Sequence, residues 1–255
     1  MKTRIIICGA CGKMGGNVLS LLENDENAVA VAGVDLFPKE IGIPVYKSFA
    51  DVKEQADVII DFSSAENLKE RLEYAKSSNM GIVLASTGFT SDDLALIAEY
   101  AKTTAIFKTA NLSLGVNLMQ ALCKAAAEIL GENYDVEIIE RHHNLKKDAP
   151  SGTALMLADS INEVFDGKKE YVNGREGIVG ARKQSEIGIH AVRGGTIVGE
   201  HEVSFAGEDE IITISHSARS KKVFAVGAIR AAKFLNGKPA GMYAMKELLA
   251  EENAD

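Results

Sequence analysis

Paired cysteines, long apolar runs and an excess of positive charge are all missing from this chain, and each absence closes off a class of protein. Its cysteines are Cys8, Cys11 and Cys123, an odd number that gives no disulfide framework. Cys8 and Cys11 have the spacing of a redox or zinc pair, but Cys8 ends a strand-like run and no second ligand pair follows. Packing and loop roles are expected for both. No apolar run approaches the ~20 residues that a membrane-spanning helix needs. The opening Met1-Lys2-Thr3-Arg4 is basic, yet the apolar stretch behind it is too short for a signal peptide. No membrane partner and a cytoplasmic location are therefore expected. A net charge of -8 argues against a phosphate-backbone partner, so no nucleic acid is expected, although a local basic cluster can still hold an anionic substrate. Internal repeats and low-complexity tracts are also lacking.

What remains is a globular chain of 255 residues, 46% hydrophobic, long enough for one large or two ordinary domains. The first part alternates β-branched runs with helical patterns: strands at 4–8, 28–34, 58–62, 81–85 and 105–108, helices at 13–22, 65–76 and 92–101. That rhythm predicts a parallel sheet covered by helices. A long apolar helix follows from 113 to about 130, after which strands at 188–193, 196–204 and 210–217 predict a second, antiparallel sheet. The helical pattern at 222–235 is expected to return to the first domain. The expected fold class is thus α/β, a Rossmann-type dinucleotide-binding domain at 1–112 with 220–255 returning to it. A smaller α+β substrate and oligomerisation domain with a mostly antiparallel sheet is expected at 113–219.

The turn Gly9-Ala10-Cys11-Gly12-Lys13-Met14-Gly15 joins the first strand to the first helix. Its glycines permit a tight turn and close approach of a pyrophosphate to the helix start. The spacing is GxxGxxG, not GxGxxG, and such a turn alone is a weak signal. Asp35 adds weight, standing at the end of the second strand where a carboxylate accepts adenosine ribose hydroxyls; the plainer reading is a turn cap. Asp35 favours NADH, whereas Lys13 and Lys39 suit a 2′-phosphate and Leu36 replaces an arginine, so NADH and NADPH both stay open. Ala85-Ser86-Thr87-Gly88 and Thr109-Ala110-Asn111-Leu112 end two further strands at the same carboxyl edge. They are candidate walls for a nicotinamide, or simple turn and cap residues.

The densest chemistry lies in Glu140-Arg141-His142-His143-Asn144-Leu145-Lys146-Lys147-Asp148-Ala149-Pro150-Ser151-Gly152-Thr153-Ala154. Strand-like 136–139 leads in, and Ala154, Leu155, Leu157, Ala158, Ile161, Val164 and Phe165 lead out with helical spacing. A loop between two rigid elements is where catalytic groups usually sit. His142, His143 and Lys146 with Asp148 can donate a proton and neutralise an anion. A metal is not expected, because adjacent strand histidines diverge and no recognised ligand spacing is present. Pro150-Ser151-Gly152-Thr153 reads as a helix start capped by Ser151 or Thr153, and free amides beside Lys146 make a carboxylate seat.

On these residues the chain resembles the 4-hydroxy-tetrahydrodipicolinate reductase (dihydrodipicolinate reductase) family. The resemblance spans nearly the whole chain, through Gly9 to Gly15, Asp61-Phe62-Ser63, Thr87-Gly88-Phe89, Asn111 to Asn117, and above all Glu140 through Ala154. Arg193-Gly194-Gly195, Val198-Gly199-Glu200-His201 and His216 with Ala218-Arg219-Ser220 add to it. It implies NADH- or NADPH-dependent reduction of a cyclic dicarboxylate in the diaminopimelate route to lysine. His142 would be the proton donor and Lys146 its aid, with His143, Ser151, Gly152 and Thr153 holding the substrate. It also implies domains that close over the substrate and a homotetramer built through the sheet at 188–217. Ser64 departs from the arginine that many relatives carry beside the cofactor. Two other readings compete: a dehydrogenase of another small amino or keto dicarboxylate, and a non-catalytic dinucleotide sensor.

Overall fold

The computed structural model describes residues 1–86 and 88–252. In chain order the elements are β1 (Thr3–Cys8), α1 (Lys13–Leu22), β2 (Ala28–Val34), β3 (Val45–Tyr46), β4 (Val58–Asp61), α2 (Leu68–Ser77), β5 (Gly81–Leu84), α3 (Ser91–Tyr100) and β6 (Ala105–Lys108). They continue as α4 (Leu114–Leu130), β7 (Asp135–His142), α5 (Gly152–Val164), β8 (Glu170–Asn173), β9 (Glu186–Arg193), β10 (Gly199–Ala206), β11 (Ile211–Ala218), α6 (Lys222–Leu235), β12 (Gly241–Tyr243) and α7 (Met245–Glu252). None of the described helices is long and apolar enough to cross a membrane. The chain divides into two compact units, one of Met1–Leu112 with the segment from Lys222 onward, the other of Ser113–Lys221.

The first unit is built on a seven-stranded sheet in the order β12-β6-β5-β4-β1-β2-β3, and every pairing in it is parallel. Because such a sheet is covered on both faces, its strands are apolar throughout. Ile5, Ile6 and Ile7 are all fully buried, as are Val58, Ile59 and Ile60. One face packs Leu68, Leu72 and Ala75 of α2 and Ile97 of α3. On α6, Ala225, Ala228, Ile229, Ala231, Ala232 and Leu235 are buried, and that helix lies against α1 and β5. All carboxyl strand ends fall on one edge, and the order 3-2-1-4-5-6 within the sheet is that of a doubly wound dinucleotide fold. Helix α2 begins at Leu68, three residues later than the apolar pattern from Ala65 suggests, because Asn67 takes a left-handed backbone (φ 57).

The second unit holds a five-stranded sheet in the order β11-β10-β7-β9-β8. Its β10–β11 and β10–β7 seams are antiparallel, whereas β7–β9 and β8–β9 are parallel. Helices α4 and α5 cover one face through Met119, Cys123, Leu157, Ala158 and Ile161, meeting Val136, Ile138, Ile187, Ile189, Val203 and Phe205. Burial alternates along β7 and β10 residue by residue, so Val136, Ile138, Glu140 and His142 share the covered face. The strand read from Thr196 begins instead at Gly199, because Gly195 (φ 48) and the residues after it form a turn.

Candidate active site

Two places on this scaffold gather the chemistry, one in each unit. In the first, β1 runs straight into Gly9, whose φ of +76 suits glycine. A Cβ on Gly9 would lie 2.9 Å from the Phe62 carbonyl oxygen, and one on Gly15 would lie 2.4 Å from the Gly9 oxygen. Both positions are closed to side chains by neighbouring backbone. Gly12 is the N-cap of α1, no side chain caps that end, and its first turn carries no acidic residue. The open amides and the helix dipole favour an anion there.

Asp35 stands beside this turn. Its carboxylate accepts hydrogen bonds from the Cys11 and Phe37 amides, each at 3.0 Å. The capping role is therefore real, and it is compatible with ribose binding because each oxygen keeps a further lone pair. A cavity of about 320 Å³ opens next to it, lined by Gly9, Asp35, Phe37, Lys47, Phe49 and Arg71 among others. Cys8 borders the cavity with a thiol that burial pushes up to about 12, so it is an inert packing group.

Arg71 is a residue that the motifs do not reveal. Its Nε lies 2.8 Å from Asp61 Oδ2, close but without hydrogen-bond alignment, and both side chains are essentially buried. The guanidinium also donates to the Ser64 and Glu66 carbonyls at 2.7 and 2.6 Å, while Asp61 accepts from Ser63. Together they fix the loop after β4 against the cavity. A helical arginine seven residues past Ser64 was the available signal, but only the fold brings it to Asp61.

The remaining first-unit candidates lie along the same carboxyl edge. Ala10 is buried beneath the turn, Cys11 and Met14 are half-buried, and Lys13 is exposed. Ala85 and Ser86 follow the end of β5, with the Ser86 hydroxyl buried and without a hydrogen-bond partner among the described residues. Thr87 lies outside the described residues. Past β6, the Thr109 hydroxyl donates to the Asn111 carbonyl at 3.1 Å, Ala110 is exposed and Leu112 is buried. A Cβ on Gly227 of α6 would fall 1.8 Å from the Leu112 carbonyl oxygen, so Leu112 serves close packing of that helix.

In the second unit, the end of β7 and the start of α5 meet around Glu140. This carboxylate is fully buried, and Arg193 from β9 grips it with two donors at 2.6 and 2.7 Å. His142 Nδ1 lies 2.7 Å from its Oε2, and the Ser151 amide donates to Oε1 at 3.0 Å. Burial pushes the Glu140 carboxyl up, but Arg193, His142 and Ser151 together outweigh it and hold it below the usual carboxylate range. With Nδ1–H given to Glu140, the other ring nitrogen of His142 stays available for proton exchange. That nitrogen borders Gly199, where a Cβ would come within 3.1 Å of it.

Ser151, not Thr153, is the N-cap of α5, its hydroxyl accepting from the Ala154 amide at 3.2 Å. The same hydroxyl is 3.0 Å from His201 Nε2, and Ser151 is only 2% exposed. Gly152 is exposed with nothing within 4 Å of a Cβ, Thr153 is half-buried, and the first turn of α5 has no acidic residue. Lys146 Nζ meets both Asp148 oxygens at 2.8 Å, and this partner holds the Asp148 carboxyl below its usual range. His143 is half-buried, with an Nδ1 that has no hydrogen-bond partner among the described residues. Backbone bonds from Gly194 to His142 and from Asn144 to Gly195 tie this loop to the β9–β10 turn. The fold thus gathers an imidazole, an ammonium and a helix start within one unit, which is the equipment for protonating an anionic substrate.

Comparisons with known proteins fall on the same segments. The profile described as Dihydrodipicolinate reductase, N-terminus, matches residues 3–112, and Dihydrodipicolinate reductase, C-terminus, matches 115–249. A curated 4-hydroxy-tetrahydrodipicolinate reductase of Caldanaerobacter subterraneus subsp. tengcongensis is 51% identical over 98% of this chain and 99% of its own length. That of Clostridium novyi is 43% identical over 98% and 100%. Among solved structures, dipicolinate-bound dihydrodipicolinate reductase from Paenisporosarcina sp. TG-14 superposes with a TM-score of 0.79 at 28% identity, covering 96% of this chain and 98% of that one. Myo-inositol 2-dehydrogenase from Lactobacillus plantarum, at 13% identity and a TM-score of 0.61 over 92% and 88%, shares the fold.

Proposed function

The chain belongs to the dihydrodipicolinate reductase family, and from that premise we propose that His142 is its proton donor and Lys146 the cation that assists. The reaction is the NADH- or NADPH-dependent reduction of 4-hydroxy-tetrahydrodipicolinate to tetrahydrodipicolinate, with loss of water, in diaminopimelate and lysine biosynthesis. The observation that carries the assignment of roles is the contact of His142 Nδ1 with the buried Glu140 carboxylate. It leaves one imidazole nitrogen free for the substrate.

The reduced nicotinamide supplies the hydride. Adding it to a conjugated cyclic imine builds negative charge on the ring, which the His142 proton quenches and the Lys146 ammonium stabilises beforehand. Gly152 and Thr153 seat a substrate carboxylate at the start of α5, where the helix dipole favours an anion, and Ser151 holds that turn in shape. His143 completes the anionic seat. On the cofactor side, the uncapped α1 start from Gly9 through Met14 cradles the pyrophosphate and Asp35 takes the adenosine ribose. Ala85, Ser86, Thr87 and the Thr109-Ala110-Asn111-Leu112 turn serve the nicotinamide. The dinucleotide belongs to 1–112 with 220–255, and substrate binding and oligomerisation to 113–219.

A homotetramer built through the uncovered face of the five-stranded sheet accounts for the exposed Val192 and Ile211 among its polar residues. The free thiols of Cys8, Cys11 and Cys123 suit a reducing cytoplasm. The test follows cofactor absorbance with freshly generated substrate, NADH and NADPH offered separately, for wild type and His142→Gln. Turnover in the wild type, with a roughly 100-fold or greater loss in the variant while cofactor affinity is kept, is the expected result. Undiminished turnover in the variant removes His142 from the role.

A further inference from the structure

The segment around Glu140 does more than hold one histidine. Its two oxygens receive donors from three separate pieces of chain: the end of β7 through His142, the start of α5 through Ser151, and β9 through Arg193. The residue is fully buried, so its charge is satisfied entirely by these donors. Strand geometry explains the convergence. Glu140 and His142 are two residues apart on one face of β7, Arg193 pairs with His142 in the parallel ladder, and His201 pairs with Glu140 in the antiparallel one. Arg193 also donates to the Asp148 carbonyl at 2.8 Å, next to the carboxylate that holds Lys146.

We propose that Glu140 is the positioning residue of this reductase, fixing the ring orientation and tautomer of His142 while tying the carboxylate-seating turn at Ser151 to the same anchor. The inference rests on the proton-donor reading of His142. A ring that donates Nδ1–H to a fixed anion has one available orientation, with Nε2 presented beside Gly199. The second contact, to the Ser151 amide, sets the distance between the proton and the bound carboxylate. His201 completes the enclosure: its ring packs edge-on to His142 at 5.2 Å and 73°, and burial lowers it to about 4, so it adds bulk without charge. Among the described residues the charged side chain in contact with the His142–Glu140 pair is Arg193 from β9, which also reaches the backbone of Asp148, the partner of Lys146.

The test is a double-mutant cycle on kcat in the full-length enzyme, with Glu140→Asp, His142→Gln and the pair. Aspartate keeps the charge but withdraws it by one methylene, and a displacement near 1 Å at a reacting group costs up to about 100-fold. The expected result is a 10- to 100-fold loss of kcat on Glu140→Asp in the wild-type background and less than about 3-fold in the His142→Gln background, since the anchor then has nothing to position. Equal fold losses in both backgrounds would falsify the inference and leave Glu140 a structural group. Undiminished kcat in His142→Gln alone instead sinks the proton-donor reading, and the inference with it. Should Glu140→Asp not fold, the wild-type protein itself decides. A strongly downfield imidazole N–H proton resonance that vanishes in His142→Gln supports the Nδ1–H to carboxylate bond, and its absence in the wild type overturns it.

Discussion

His201 Nε2 lies 3.0 Å from Ser151 Oγ, and the histidine is only 5% exposed. Burial is the main reason its ionisation falls from 6.5 to about 4, with the neighbouring His142 pushing the same way. An unfolded chain takes up a proton on this ring as pH falls through 6.5, whereas the folded ring resists until about 4. The contribution to stability is thus fully present above pH 6.5 and is lost as pH falls toward 4. At ~1.4 kcal/mol per unit this fall amounts to roughly 3–4 kcal/mol. Burial lowers His216 as well, in the same sense. Melting temperature against pH should show a slope between 6.5 and 4 that flattens in His201→Gln, and an unchanged slope would clear His201 of the effect.

Glycines at the two helix starts should respond oppositely to alanine. Gly15→Ala drives a Cβ to 2.4 Å from the Gly9 oxygen, so the turn must deform. A loss of about 1–3 kcal/mol or more, together with loss of cofactor binding, is expected. Gly152→Ala meets nothing within 4 Å and should keep or slightly raise the melting temperature. If Gly152 seats the substrate, KM rises while cofactor affinity stays. Calorimetry and steady-state kinetics on both variants check the pair, and a stable Gly15→Ala with normal cofactor affinity contradicts the account of the turn.

Arg71→Leu leaves the Asp61 carboxylate buried at 0% exposure without its cation. Removing one partner of a buried pair costs about 3–5 kcal/mol. The loop at 63–67 also loses two guanidinium donors, so dinucleotide affinity should weaken in fluorescence titrations. Unchanged stability in urea melts would mean that the pair is not the anchor described.

Replacing Asp35 with asparagine removes the charge beside the cavity while an amide oxygen remains to accept from Cys11 or Phe37. Relative kcat/KM should move toward NADPH, because a 2′-phosphate no longer faces a carboxylate. Measuring both cofactors with wild type and variant decides it, and a shift toward NADH would place Asp35 elsewhere in cofactor binding.

Most of this architecture was legible because its signals are local. Continuous β-branched runs marked β1, β4 and β5, and the spacing from Ala154 to Phe165 marked α5. The strands β3, β8 and β12 carry no such signal: β3 and β12 have only two and three residues, β8 has no buried residue, and all three are defined by the neighbours they pair with. In the site, sequence placed Glu140 within a motif but gave it no task. Its partners Arg193 and Ser151 stand 53 and 11 residues away, and only strand register brings them together. The choice between Ser151 and Thr153 as helix cap was likewise undecidable from composition, since both hydroxyls suit the role and backbone geometry selects one.

The return of the chain to its first unit carries a consequence for synthesis. Strand β6 pairs on its outer side with β12, whose three residues are made more than 130 residues later. Until they emerge, a ribosome-bound nascent chain exposes an unpaired apolar strand, along with the sheet face that α6 will cover. Such an edge invites pairing with other chains. Premature termination within the second unit therefore leaves a sticky fragment, not a smaller working domain, and makes the intervening segment an insertion that the first fold must wait for.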